Sequence, residues 1–174
     1  QRIGDAGVIG LNVVSMSFGE IEVTTADSPE GGRGTFKPSL MNISVAYAKA
    51  FSNSIYGGIN IKIINESIAD ASAQGIAIDA GIQYVTGEMD QIKFGIALKN
   101  IGPKMKFSGD GLMQSTFLQG NSNSLSMYVP SESFELPTAL DIGASYDFWI
   151  GDFNRITLAF NFRSNSFGKD QFIG

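Results

Sequence analysis

The feature that most limits what this chain can fold into is a period-two alternation of apolar and polar residues that recurs along its length. Each run lasts roughly ten to twelve residues, the length a tilted strand needs to cross a bilayer. From Met41 the odd positions read Met41, Ile43, Val45 and Tyr47, while the even positions read Asn42, Ser44, Ala46 and Ala48. After Ser52-Asn53-Ser54 a second run sets Ile55, Ile59, Ile61 and Ile63 against Asn60, Lys62 and Glu66. Ile76, Ile78, Ile82 and Tyr84 then oppose Asp79 and Gln83, and Ile92, Phe94, Ile96 and Leu98 oppose Gln91, Lys93 and Lys99. Further on, Leu140, Ile142, Tyr146 and Phe148 oppose Asp141, Ser145 and Asp147, and Ile156, Leu158, Phe160 and Phe162 oppose Arg155, Thr157, Asn161 and Arg163. A side chain every second residue on one face is the signature of a strand. The segment Val8–Phe18 alternates less cleanly, and Gly10 and Gly19 suggest a kink or bulge near its ends.

The connections carry a second regularity. Short turns at Ser52–Ser54, Thr86–Asp90 and Gly151–Asn154 alternate with longer connections at Ala26–Ser39, Ser67–Ala73 and Gly102–Pro137. Outer-membrane barrels have this asymmetry, with short periplasmic turns and long extracellular loops. Phe51, Tyr56, Tyr84, Phe148, Trp149 and Phe153 gather at the short-turn ends, as an interfacial aromatic girdle would. The expectation is therefore an all-β fold: a transmembrane antiparallel up-and-down β-barrel, with residues 1–174 forming one domain that is an incomplete part of a larger barrel. A soluble β-sandwich or small barrel remains the alternative, since it too alternates and has turns of unequal length. Under the barrel reading the mixed charges Lys62, Glu66, Asp79, Lys93, Lys99, Asp141, Asp147, Arg155 and Arg163 line a wet or ion-paired lumen.

Composition narrows function by exclusion. No run approaches the ~20 consecutive apolar residues of a spanning helix, yet a mean hydropathy of +0.06 is what alternating strands average to. A net charge of −5 gives no electrostatic reason to expect nucleic acid. The chain has no Cys and no His. Thiolate nucleophiles, cysteine metal sites, the usual general base and the commonest zinc ligand are thereby absent. No catalytic, cofactor or metal site is expected.

Individual constellations agree. Gly31-Gly32-Arg33-Gly34 lacks the Lys-Ser/Thr pair and following helix of a phosphate loop and reads as loop glycine. Ser108-Gly109-Asp110-Gly111 lacks the alternating acids of a calcium loop and reads as a turn. Asp141 and Asp147 are six positions apart, about 20 Å along a strand, too far for a shared acid-base role. Lys62, Glu66, Asp79 and Lys93 fall on successive strands where cross-strand ion pairs are expected.

The segment Ser108–Leu136 stands out because it shows Leu112, Met113, Phe117, Leu118, Leu125, Met127, Tyr128, Val129 and Phe134 among Ser, Asn and Gly. Long loops with exposed apolar residues are commonly functional. Strand parity sets this connection opposite the short turns. Two outcomes stand open: contact with a partner through Phe117, Leu118, Met127, Tyr128 and Val129, or folding back to cap the barrel mouth.

Several stretches carry a family likeness: Gly19-Glu20-Ile21-Glu22-Val23-Thr24-Thr25, Pro29-Glu30-Gly31, Thr35-Phe36, Tyr47-Ala48-Lys49 and Lys62–Ile68, followed by Asp79-Ala80-Gly81, Asn100-Ile101-Gly102 and Lys104-Met105. In these, over about residues 7 to 163, the chain resembles the PorV/PorQ family of Bacteroidota outer-membrane proteins, barrels similar in fold to the fatty-acid transporter FadL. Its loop around Gly31–Gly34 departs from the family's Gly-Thr-Gly-Glu form. The resemblance implies an outer-membrane component of a type IX secretion system. Such a component binds a large outer-membrane translocon protein, receives secreted cargo proteins bearing a C-terminal signal domain, and sits in outer-membrane lipid. A FadL-like transporter of hydrophobic small molecules is the alternative the resemblance allows.

Overall fold

The computed structural model describes residues 3–25, 28–117, 124–151 and 154–174. Eight strands join in one antiparallel sheet: β1 (Val8–Ser17), β2 (Ser39–Ala50), β3 (Ile55–Ile68), β4 (Ala71–Thr86), β5 (Ile92–Ile101), β6 (Ala139–Ile150), β7 (Asn154–Asn165) and β8 (Gln171–Ile173). Each pairs with its successor in the chain, an up-and-down order that needs no crossover. The fold is all-β, and among the described residues the helical pieces are two 3-10 turns, Gly4–Ala6 and Asp110–Leu112.

Residues facing each other across an antiparallel ladder point to the same side, so the register carries the parity of one strand into the next. Ile43 and Val45 of β2 stand opposite Ile63 and Ile61 of β3, which stand opposite Ile76 and Ile78 of β4. The apolar face continues from Ile82 to Ile96, Ile142, Phe162 and Phe172. On the other face Ala48, Gly58, Gly81, Ala97, Asp141 and Arg163 form one row across six strands.

Exposure of the two faces is the reverse of a soluble protein's. Ile63 and Leu158 on the apolar face are 56% and 61% exposed, whereas Ser44 and Asp147 on the polar face are 4% and 5% exposed. The single charged residue with apolar-face parity in the eight strands is Lys49, next to the end of β2. The polar face is the concave one, because it lines a cavity of about 1030 Å³ whose wall runs from Val8 in β1 to Asn161 in β7.

Several sequence expectations change. Ser67–Ala73 is not a longer connection: β3 and β4 stay paired to Ile68↔Ala71 and turn through Ala69 and Asp70 alone, with Ala69 left-handed at φ 49°. The physical reason is that Asn65↔Gln74 and Ser67↔Ser72 keep the ladder going where the outward face has turned polar. β1 runs through Gly10 without a bulge, opposite Ala46. The irregularity lies between β4 and β5, where Ile78 pairs with Ile101 and Ala80 with Leu98. Tyr56 and Trp149 have polar-face parity, so the apolar-face aromatics near the short turns are Tyr47, Tyr84, Phe94, Tyr146 and Phe148. Phe51 sits in the β2–β3 turn with its ring over Gly57, where a Cβ would come within 2.7 Å of it, and Phe153 lies outside the described residues.

Candidate functional site

Two regions carry the residues that sequence singled out: the concave wall and the β5–β6 connection. On the wall the charges sort into three groups, each built across neighbouring strands. Lys62 of β3 pairs with Asp79 of β4 at 2.6 Å. The same carboxylate accepts Asn60 Nδ2 at 3.1 Å and the backbone N–H of Asn100 at 2.8 Å. Lys62 Nζ also donates to Asn100 Oδ1. Asn100 is left-handed at φ 58°, the extra residue where Lys99 and Asn100 together oppose Asp79. Its Nδ2 donates to Pro137 O at 2.8 Å, and its carbonyl accepts Thr138 Oγ1 at 3.2 Å.

Asp141 of β6 is held between β5 and β7. Arg163 grips both its oxygens, at 2.5 and 3.0 Å, and Lys99 approaches at 2.9 Å. Two parallel N–H···O bonds fix the carboxylate plane as well as its charge. Asp147 receives Lys93 at 2.7 Å, Thr157 Oγ1 at 2.6 Å and Arg155 at 3.7 Å. Arg155 also lies 5.8 Å from the centre of the Trp149 ring, cation over π face. Of the expected ion-pairing set, Lys62 joins Asp79, Lys93 goes instead to Asp147, and Glu66 forms no ion pair with any described residue. Asp141 and Asp147 have separate cationic partners, consistent with their distance along β6. Among the described residues no cluster of three or more acidic groups is placed to hold a metal.

The β5–β6 connection divides in two. Its roots fold back onto the wall: Met105, 1% exposed, and Leu136 pack with Ile64, Ala73 and Ala77, and Phe107 and Phe134 lie against them. Its middle is an isolated antiparallel hairpin, Met113–Phe117 with Ser124–Tyr128. Met113, Met127, Tyr128 and Val129 are exposed there. The register sets Met113 beside Tyr128, so Tyr128 faces one side of the hairpin while Met127 faces the other. The expected contact residues are therefore not on one surface. The side chain of Phe117, and Leu118 altogether, lie outside the described residues. The roots thus fold back, as one of the two expected outcomes has it, while the hairpin stays clear of the eight-stranded sheet. Met105 was missed because a methionine between two lysines, Lys104 and Lys106, shows no apolar pattern.

Ser108–Gly111 forms the 3-10 turn at Asp110–Leu112 and rests on the β3–β4 turn, with Gly111 N donating to Asp70 O at 3.2 Å. In Gly31–Gly34 the three glycines have φ between +87° and +107°, a conformation that requires them. No protein-family model matches this chain, and no curated protein matches it in sequence.

Proposed function

We propose that this chain is part of a transmembrane antiparallel β-barrel of a Gram-negative outer membrane. In that barrel it serves as a non-catalytic component of a type IX protein secretion system, binding the translocon barrel and receiving cargo with a C-terminal signal domain. One observation carries the membrane reading: the sheet is apolar on its exposed face and polar, ion-paired and concave on the other. In water such a surface is unfavourable by on the order of 25 cal/mol per Å² left uncovered; in lipid it is the expected surface of a barrel wall. The ten residue steps from Gln74 to Tyr84 on β4 bound the apolar band. They span about 33 Å along the strand, or about 25 Å across a bilayer at a tilt near 40°.

The secretion role rests on the family resemblance, and the exposed hairpin at the long-loop end supports it. Co-purification from native outer membranes with mild detergent tests it: the expected result is a very large barrel protein retained with this chain. Recovery of this chain alone would count against the role while leaving the barrel untouched. The cavity along Gly58, Gly81, Gly95 and Gly143 favours a second reading, a FadL-like transporter of hydrophobic small molecules. Lipid retained in the barrel, with no protein partner, would select that reading.

A further inference from the structure

The concave wall is largely small or polar in its middle, with larger apolar residues such as Met16, Leu40 and Val85 elsewhere on the same face. Ile64, Ala73 and Ala77 make an apolar socket around Gly75, and Met105 fills it. A Cβ on Gly75 would come within 2.6 Å of the Met105 side chain, so this position is shaped to the methionine. Met105 belongs to the first root of the β5–β6 connection, and Phe134 and Leu136 belong to the second. The roots are tied to each other: Met105↔Phe134 and Lys106↔Ser133 pair as strands, Lys104 and Glu135 form an ion pair at 2.9 Å, and the Phe107 and Phe134 rings stack at 5.4 Å. Phe107 N donates to Ser131 Oγ at 3.1 Å. The two roots thus form one body.

That body is tied to the sheet much more lightly than the strands are tied to one another. Beyond the socket, its backbone hydrogen bonds to the sheet and its turns among the described residues are the bridge Ser72↔Ser108 and the Gly111 bond to Asp70, with Gly102 and Gly109 packed close to the β4 backbone and the β3–β4 turn. Where it leaves and rejoins the sheet, Gly102 and Pro137 flank it, and Asn100 holds Pro137 O. It can leave the wall without breaking any ladder of the eight strands. The hairpin is continuous with it, since Val129 N donates to Leu112 O at 2.9 Å at the hairpin base. A pull on the exposed hairpin is therefore delivered to the two roots.

We propose that the roots of the Gly102–Pro137 connection are a displaceable strap that closes the lumen at the long-loop end, opening when a partner engages the hairpin and withdraws Met105 from its socket. This rests on the barrel reading for the existence of a lumen. Ala77, 0% exposed beneath the strap, is the reporter. Residues 1–174 contain no Cys, so once any cysteine outside them is replaced by Ser, Ala77→Cys is the single thiol. In the full-length protein in lipid vesicles, labelling of that thiol by a membrane-impermeant maleimide should be slow. It should rise at least tenfold with Met105→Gly and stay slow with Met105→Leu. Separately, Ser72→Cys with Ser108→Cys should oxidise to a lock that abolishes openings in planar bilayers, restored by reduction. Fast labelling of Ala77→Cys with Met105 intact, no change with Met105→Gly, or openings that persist under the oxidised lock would overturn the strap. A fluorophore at Leu158→Cys, tested for quenching by lipid-phase quenchers, reads the barrel independently. Absence of quenching there would sink the membrane reading, whereas quenching together with fast Ala77→Cys labelling sinks the strap alone.

Discussion

The carboxylate of Asp79 accepts the backbone N–H of Asn100 at 2.8 Å, across the one place in the sheet where a single residue of β4 stands opposite two of β5. Asp79 thus closes the gap that the extra residue opens. It also gathers Lys62 and Asn60, so its removal leaves several partly buried donors without an acceptor. Asp79→Ala is expected to lower stability by roughly 2–3 kcal/mol in urea titration of refolding into vesicles. Asn100→Ala should cost more than Asn100→Gly, because alanine at φ near +58° adds about 1 kcal/mol of backbone strain. Equal losses for the two would mean that the left-handed geometry is unimportant.

The two faces should answer differently to the same charge. Ile61→Lys, in the middle of the apolar face, is expected to destabilise by about 2–4 kcal/mol when the protein is folded in bilayers. Gln83→Lys, opposite Gly95 on the concave face, should cost less than about 1 kcal/mol. A soluble sheet would tolerate Ile61→Lys about as well as Gln83→Lys, so similar losses would remove the membrane reading.

Ala69 holds the tight β3–β4 turn at φ 49°. Ala69→Gly should raise stability by about 0.5–1 kcal/mol, the strain relieved less the added freedom of the unfolded chain. Gly109→Ala should do the opposite, because its φ is +136° and the new Cβ would lie 2.2 Å from Asp70 O. Heat-modifiable gel migration across a temperature series would read both.

Hairpin contacts can be resolved by side. Met113→Ser with Tyr128→Ser strips one face of the hairpin, and Met127→Ser with Val129→Ser strips residues of the other parity. Secretion of signal-bearing cargo should fall at least tenfold in one pair or both while the barrel's heat-modifiability is unchanged. Full secretion with both pairs replaced would exclude the hairpin as a partner surface.

The bidentate pair offers a gentler test. Lys99 and Arg163 keep 44% and 37% of their side chains exposed, so solvent screens them. A double-mutant cycle of Asp141→Asn with Arg163→Gln should give a coupling of about 1 kcal/mol that shrinks as salt is raised. A coupling that salt leaves unchanged would point to a drier wall than the exposures indicate.

Alternation made the faces legible because it is a direct image of the pleat. Ile76, Ile78, Ile82 and Tyr84 share a side as expected, and so do Lys62, Asp79, Lys93 and Asp141. The β3–β4 turn was hidden for the same reason: beyond the apolar band the outward face turns polar at Asn65, Ser67, Ser72 and Gln74 while the inward face carries Ile64, Ile68 and Ala73, so the contrast that marks a strand is lost while the backbones stay paired. Asn100 was invisible because a bulge changes parity by one residue without changing composition. Lys93 found Asp147 and not a neighbour on β4 because β6, distant in sequence, lies beside β5. The strap was illegible in principle, since its socket is assembled from β3, β4 and two ends of one long connection.

The division of the sheet into two unlike faces has a consequence for how such a surface arises. In the unpaired chain Ile61 and Lys62 are adjacent, and no stretch offers lipid a contiguous apolar run long enough to span it. Only when strand is laid beside strand do the isoleucines collect on one side and the lysines on the other. An extended apolar surface is thus a product of tertiary structure and not of any one stretch of the polypeptide. On the barrel reading proposed above, partition into a bilayer and acquisition of backbone order are then one cooperative event.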